Sequence, residues 1–437
     1  MKIVNVVAEP AAEAAAKLRK STNKISDALM AQARTIMDDV LAHGDPAVID
    51  YTAKFDGVRL DSLKVSEEEI KGAYDKVTKE QVKALKLMKS RLEKSEIAVL
   101  GRLKKNIKVR SEGVLIDRVV QPVASVGCYV PGGKARYPST LVMCAVPAKV
   151  AGVKRIVAIS PPTKDDGSID PLTIVAADIC GVNEIYKAGG AQGIAALAYG
   201  TQTIKPVSKI VGPGGMFVTA AKIAASSIVS TDMVAGPTEL LVYADQSADP
   251  RLVAVDLISQ AEHSPDTVCG LVTTSEKLAA QVQEQVDAIS SGIARSDIVK
   301  KSLSENGFVA ICKDEKACAE FANEFAPEHL EIISKKKADA FADKIESAGL
   351  ILIGPDAPSS ASDYCLGSNH VLPTLGFGKS RASLSVLDYV KLVNRVKVTK
   401  AGLAKIDGAV RAIATAEGLP NHYEAVKARR KRNKKEK

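Results

Sequence analysis

The sequence predicts an α/β protein built from two doubly wound parallel sheets side by side, with helical segments at both ends. Three observations carry this. Downstream of Arg118, short β-branched runs alternate with Ala-rich stretches of helical length; glycine-rich turns follow several of these runs or lie between them; and the first quarter and the last fifty residues read as helix. A chain of 437 residues is too long for one small core, so two main domains are expected.

In chain order, an amphipathic run from about Ile25 to His43 stops at Gly44, and Asp45-Pro46 restarts a helix. Thr78-x-x-Gln81 makes a capping box for a long one. These helices are scaffold. Strands are expected at 155–160, 184–187, 209–211, 240–244, 267–273, 308–312, 330–333 and 350–353, with helices such as 171–180, 193–199 and 217–226 between them. No clear strand follows Val398, and Gly418-Leu419-Pro420 breaks the final helices ahead of a basic tail.

Composition narrows the class. The longest apolar stretch, 141–157, is interrupted by Pro147, Lys149, Gly152, Lys154 and Arg155, which argues against a membrane span. The first residues, Met1-Lys2-Ile3-Val4-Asn5-Val6-Val7, lack the pattern of a secretory signal. Seven cysteines form no C-x-x-C pair and mostly sit in apolar segments, so a reducing, cytoplasmic setting is expected. Of the formal net charge of +9, an excess of seven lies between Lys427 and Lys437, leaving the body near neutral. That tail reads as a solvated terminus, with a nucleic-acid or anionic-surface contact as the alternative.

The glycine turns are Gly132-Gly133, Gly189-Gly190-Ala191-Gln192-Gly193 and Gly212-Pro213-Gly214-Gly215. None fits G-x-G-x-x-G, so they serve either as steric turns or as places where phosphate reaches backbone N–H groups. Histidine is scarce and therefore informative: His43, His263, His329, His370 and His422. His43 ends a helix, where an imidazole suits terminal carbonyls. Gln260 and His263 share one helix face and can bind zinc, or simply form a polar helix end. Asp363 and His370 lie in a polar loop with little packing periodicity. Glu328-His329 sits where a helix hands over to a strand, and a carboxylate beside an imidazole offers two proton acceptors of different basicity; the alternative is a solvated loop pair. His422 is near the C-terminus and joins the others only by folding back or by entering a second subunit.

Taken together, these stretches resemble the histidinol dehydrogenase family over nearly the whole chain. The resemblance rests on Val126-Gly127-Cys128-Tyr129-Val130-Pro131-Gly132-Gly133 with Tyr137-Pro138-Ser139-Thr140, and on Ala188-Gly189-Gly190-Ala191-Gln192-Gly193-Ile194-Ala195-Ala196-Leu197. It continues through Ala235-Gly236-Pro237-Thr238-Glu239, Ser259-Gln260-Ala261-Glu262-His263, Ala326-Pro327-Glu328-His329-Leu330 and Asn369-His370-Val371-Leu372-Pro373-Thr374. The resemblance implies one zinc per subunit on Gln260, His263, Asp363 and His422, and a catalytic pair Glu328 and His329. The imidazole would accept the alcohol proton and the carboxylate would activate water against the aldehyde. Two NAD molecules are implied, with Tyr129, Gln192 and Gly215 as contacts. The implied contacts to L-histidinol are Thr238, His370 and Glu417 together with Gln260, His263, His329, Asp363 and His422.

The family fold implied is two related, incomplete Rossmann-like domains with small helical terminal arms. The expected borders are an N-terminal arm over 1–25, a discontinuous first domain over 26–128 and 237–383, a second over 129–236, and a C-terminal arm with the basic tail over 384–437. A homodimer is implied, its C-terminal arm completing the partner's site, which would account for His422. One departure stands out: the family usually reads Gly-Pro-Gly-Asn where this chain has Gly212-Pro213-Gly214-Gly215, so weaker or rearranged cofactor binding is expected. The rival readings are a paralogue acting on another polar alcohol, such as a dihydroxypropane sulfonate, and a catalytically silent zinc protein that binds nucleic acid through its tail. Glu417 and His422 argue against the first, and the intact Glu328-His329 pair against the second.

Overall fold

A computed structural model describes residues 1–6, 9–20, 25–103, 107–132 and 136–435; Gly133 of the first glycine turn and Glu436 and Lys437 of the tail lie outside them. The chain opens with β1 (Lys2–Asn5) and α1 (Ala11–Lys20), then α2 (Asp27–His43), α3 (Asp45–Asp56), α4 (Glu67–Asp75) and α5 (Lys79–Leu103). Ser26 caps α2 by accepting the Leu29 N–H, and Gly44 ends it at a φ of 67°. The Thr78/Gln81 capping box forms with bonds of 2.8 and 3.1 Å. After β2 (Ile107–Ser111) and β3 (Val114–Pro122) come β4 (Ser125–Tyr129), α6 (Pro138–Ala151), β5 (Arg155–Ser160), α7 (Pro171–Ile179), β6 (Glu184–Lys187), α8 (Gly190–Tyr199), β7 (Lys209–Val211), α9 (Met216–Ala225) and β8 (Ser230–Thr231). A second series follows: β9 (Glu239–Ala244), α10 (Pro250–Ala261), β10 (Val268–Thr273), α11 (Glu276–Ser290), α12 (Ser296–Glu305), β11 (Phe308–Ile311), α13 (Glu315–Phe325), β12 (His329–Ile333), α14 (Ala338–Ala342), β13 (Leu350–Ile353) and α15 (Ser359–Ser362). The last elements are β14 (Val390–Val398), α16 (Lys400–Ala416) and α17 (Pro420–Lys435).

Two parallel sheets share one strand order. The first to form along the chain runs β6-β5-β4-β7-β8; the other runs β11-β10-β9-β12-β13, with β1 added beside β11. Each starts at a central strand, winds outward on one side and returns to build the other, which is the doubly wound pattern shortened to five strands. Strands such as β9 and β10 are buried along their whole length, as parallel strands covered on both faces must be. Helices α2 and α3 supply Ala33, Ile36, Met37, Val40, Ala47 and Val48 to a core with Leu197 of α8 and with Val157, Ile159 and Ile210 of the β4–β8 sheet. The other sheet has a core on each face, one with Phe321, Phe325 and Phe341, the other with Leu257, Val282 and Leu303. Among the described residues, no helix is long and apolar enough to cross a membrane.

Several expected elements differ. The N-terminal segment is not helical throughout, because Lys2–Asn5 pairs in register with Phe308–Ile311 and extends the second sheet. The C-terminal segment is not wholly helical either: β14 pairs antiparallel with β3, and β3 with β2, so the sheet character begins before Arg118 and is not parallel there. Those strands mix exposed apolar and charged residues, a weak alternation that leaves only long-range pairing to define them. By compactness the chain divides into Met1–Ile97 with Val123–Tyr389, and Ala98–Pro122 with Val390–Lys437. In the second unit, β14, β3 and β2 form the sheet and α16 packs with α17, where Arg430 pairs with Asp407 at 3.0 Å.

The turn after β7 shows why glycine is required there. Gly212 has a φ of 113°, its N–H donates to Asp232 Oδ2 at 2.7 Å, and a Cβ would lie 2.1 Å from the Tyr129 carbonyl oxygen. Gly212→Ala should therefore destabilise the fold by at least about 1–3 kcal/mol, read as a lower midpoint of urea unfolding. An unchanged midpoint would mean that the turn relaxes without strain.

Candidate active site

The densest constellation of buried charge lies where β9 and β12 begin. Helix α13 ends at Ala326, a non-glycine residue at a φ of 48°, and Pro327 then leads into Glu328 and His329. Glu328 is 7% and His329 2% exposed. Their neighbour on the adjacent strand is Glu239, 1% exposed. Glu239 and Glu328 clasp one another: the Glu239 N–H donates to Glu328 Oε2 at 2.8 Å, and the Glu328 N–H donates to Glu239 Oε2 at 3.3 Å. Each carboxylate thus satisfies a backbone donor that strand pairing leaves free.

His329 Nδ1 lies 3.2 Å from the Glu239 carbonyl oxygen, which can only accept, so Nδ1 carries the proton. Nε2 is buried without a hydrogen-bond partner, with Asp363 Oδ1 at 3.8 Å. With Nδ1 committed, Nε2 is the ring nitrogen left to exchange a proton with a ligand. Burial pushes the Glu328 carboxyl up to about 8, with His329 pulling it back and Glu239 and Asp363 adding to it. Burial lowers His329, but attraction from Glu328 and Asp363 outweighs it and raises the imidazole to about 9. A cation beside Asp363 would remove part of that attraction and ease the imidazole back toward neutrality.

The candidate metal donors converge from two sides. Gln260, 1% exposed, ends α10; the His263 N–H donates to its carbonyl at 3.2 Å, which turns His263 out beyond the helix end. Ser359 Oγ donates to Gln260 Oε1 at 3.5 Å, and α15 carries the chain from Ser359 into Asp363. Burial lowers His263, while Asp363, its charge opposed by burial, is held below the ordinary carboxylate range by His329, His370 and His263. A neutral imidazole, an ionised carboxylate and an amide oxygen are the donor forms zinc takes. Among the described residues no three His, Cys, Asp or Glu side chains form a group that could hold a metal ion. His370 does something else: its Nδ1 donates to the Asp363 carbonyl at 2.7 Å and its Nε2 faces Thr140 Oγ1 at 3.3 Å, which fixes the loop carrying Asp363. Thr238 is half-buried just before Glu239. Glu417 and His422 are exposed and belong to the second compact unit, at the end of α16 and in the first turn of α17.

The candidate cofactor residues lie at the opposite kind of edge, the carboxyl ends of β4, β6 and β7. Tyr129 OH accepts the Gly190 N–H at 3.2 Å at the start of α8. Gln192 Oε1, on a side chain 1% exposed, has no partner, an orphan acceptor that fits a ligand bearing N–H or O–H donors. The Gly212 turn is pinned by the buried Lys222–Asp232 ion pair, with Lys222 Nζ on the Gly212 carbonyl at 2.9 Å. Gly215 caps α9, is exposed, and has open space where a Cβ would stand.

Sequence reasoning missed Glu239, Arg19, Asp232 and Lys222 as site-building residues. A charge opening an otherwise apolar strand, as Glu239 does, was a usable signal; Arg19 carried none, since it comes from a helix 220 residues away.

A sequence model described as histidinol dehydrogenase matches residues 18–430. The histidinol dehydrogenase of Methanosarcina mazei is 43% identical over 394 residues, 90% of each chain, and that of Methanopyrus kandleri 41% identical over 418 residues, 94% of this chain and 96% of the relative. The crystal structure of histidinol dehydrogenase from Elizabethkingia anophelis superposes with a TM-score of 0.93 at 35% identity, covering 99% of both chains. With the fold, the buried Glu328–His329 pair and these relatives in agreement, the chain belongs to the histidinol dehydrogenase family.

Proposed function

We propose that this protein oxidises L-histidinol to L-histidine through L-histidinaldehyde, the last steps of histidine biosynthesis, with two NAD and one zinc ion per subunit. The observation that carries this reading is the buried Glu328–His329 pair, in which Nδ1 is committed to a carbonyl and Nε2 is left free. Oxidation of an alcohol to an acid needs two proton acceptors in succession. His329 Nε2 takes the alcohol proton as the carbon gives up a hydride and becomes an aldehyde. Glu328 then takes a proton from water as the water oxygen adds to the aldehyde carbon. Loss of a second hydride from the hydrate gives the acid, which ionises to the carboxylate, so one water is consumed and two hydrides and three protons leave per histidinol.

Gln260, His263 and Asp363 would hold zinc, with His422 as the fourth donor reaching in from the second copy of a homodimer, and Glu417 and Thr238 would meet the substrate beside them. Bound zinc would supply a Lewis-acid centre for the imidazole and amine of histidinol, and bound NAD the hydride acceptor. The half-buried His263 and Asp363, and Gln260 backed by Ser359, support this donor set. His370 would act on the substrate partly through the Asp363 loop that it holds. Tyr129, Gln192 and the backbone of Gly215 would meet NAD, the orphan Gln192 oxygen supporting that role. All seven cysteines are free and six are buried, which suits a reducing cytoplasm.

Purified protein given L-histidinol, NAD and zinc should form about two NADH per histidinol, and a chelator should abolish this. Glu328→Gln should slow the aldehyde step by about a hundredfold or more, so that histidinaldehyde is trapped by a carbonyl reagent. No NADH from histidinol, with turnover of another polar alcohol, would move the protein to a different substrate.

The pH dependence follows from the same carboxyl. Glu328 accepts a proton only when ionised, and burial puts its ionisation at about 8, so oxidation of added histidinaldehyde should be slow below that pH, rise through it and level above it. Stopped-flow NADH formation across this range tests it, and a flat profile would remove Glu328 from the step. Finally, Gly215→Asn fills open space at a helix cap and restores an amide, so the KM for NAD should fall about fivefold, the equivalent of one hydrogen bond near 1 kcal/mol. An unchanged KM would show that the side chain at this position does not touch the cofactor.

A further inference from the structure

We propose that Arg19 on the N-terminal helix and Glu239 are positioning residues for Glu328, holding its carboxylate in place and setting the charge it faces. The inference rests on Glu328 acting as the base of the aldehyde step.

Three observations converge. The Arg19 guanidinium pairs with the Glu239 carboxylate, which is nearly inaccessible to solvent. It also donates to the Phe325 carbonyl and, at 3.3 Å, to the Ala326 carbonyl, and it lies 4.0 Å over the Phe325 ring. Those carbonyls flank the left-handed Ala326, whose strained backbone turns the chain directly into Glu328. A non-glycine residue keeps such a conformation only where its surroundings overdetermine it, and here one guanidinium grips both sides of it.

Glu239 extends that grip. Its Oε1 accepts the Leu375 N–H at 2.9 Å as well as Arg19, its Oε2 accepts the Glu328 N–H, and its own N–H reaches back to Glu328 Oε2. Every recorded partner of the Glu239 carboxylate is a donor, so a proton there would have no acceptor. Burial nonetheless pushes its carboxyl up, and Arg19 is the main influence holding it down. Glu328 therefore sees an anion at Glu239, balanced by Arg19 behind it, together with His329 and Asp363. Removing the guanidinium leaves the two neighbouring carboxyls with one counter-charge fewer; because each contact of the Glu239 carboxylate is a donor, the proton the pair then takes up goes to Glu328, and the turn that aims Glu328 loosens.

Arg19→Met keeps an apolar stem over Phe325 and removes the charge. The first readout is infrared: the carbonyl stretch of protonated Glu328, identified by its loss in Glu328→Gln, is titrated in the parent and the variant. Its midpoint should rise by about one pH unit in Arg19→Met and return most of the way in Arg19→Lys, which restores charge without the fork. The second is kinetic: kcat for histidinaldehyde oxidation should fall about tenfold with KM within a factor of about three, and in the Glu328→Gln background Arg19→Met should add little. An unmoved infrared midpoint overturns the inference whatever the activity, as does a lower thermal midpoint accompanied by equal losses with and without Glu328. If Arg19→Met does not fold, the same readouts on Arg19→Lys decide, with a smaller midpoint rise expected. If neither parent nor variant oxidises the aldehyde while the infrared midpoint shifts, the role of Glu328 as base has failed and the positioning by Arg19 stands.

Discussion

Glu239 opens β9 and Glu328 immediately precedes β12, its parallel neighbour, and each carboxylate accepts the other residue's backbone N–H. Two acidic side chains this close in a dry interior are costly unless donors and a counter-charge surround them. The chain provides them: backbone N–H groups of Leu375, Glu239 and Glu328, the Nδ1–H of His329 on the Glu239 carbonyl, and Arg19 from the first helix. Much of the site geometry follows. The clasp sets the height of Glu328 against His329, the committed Nδ1 leaves Nε2 as the nitrogen open to a ligand, and the Leu375 contact draws in the loop that bears Asp363 and His370.

The two sheets have the same strand order but use opposite edges. In the β4–β8 sheet the glycine turns follow the carboxyl ends of the strands, the usual place for a dinucleotide in such folds. In the β9–β13 sheet the buried Glu328–His329 pair sits at the amino ends, with His329 and Glu239 as first residues of their strands. Residues 232–238 run from the carboxyl edge of the one into the amino edge of the other, and both ends are anchored: Asp232 on Lys222 and the Gly212 N–H, Gly236 N–H on Thr374 Oγ1 at 2.6 Å. Cross-links also run from α6 to the loop that bears Asp363 and His370, through Asn369 Nδ2 on the Met143 carbonyl and Thr140 on His370. The two edges are thus tied by short segments anchored at both ends, an arrangement that suits the proposed transfer of hydride and proton at one carbon.

Local chemistry made much of the fold legible. The strands at 155–160, 184–187, 209–211 and 350–353 have the bounds that the sequence indicates; β5 and β7 are buried almost throughout, while β6 and β13, at the sheet edges, keep partly exposed ends. The capping box at Thr78 and the stop at Gly44 are likewise local. β4 was hidden because its Gly127 and Cys128 make a weak strand pattern; the glycine is needed there, since a Cβ would press on Leu197 at 2.8 Å from α8. β1, β2, β3 and β14 were hidden because exposed, mixed strands exist only through their partners.

By itself the sequence determined the α/β class, the family resemblance and, through that resemblance, the candidate residues Gln260, His263, Glu328, His329, Asp363 and His370. The class rests on composition, spacing and short-range capping and the resemblance on short blocks of residues, all written along the chain. Tertiary structure alone decided that His329 presents Nε2, that His370 holds the Asp363 carbonyl, that Gln192 keeps an unpaired buried oxygen, and that Arg19 reaches Glu239. The reason is physical. A hydrogen bond between residues hundreds of positions apart leaves no local periodicity, and a proton's location depends on the charges and burial that folding assembles around it.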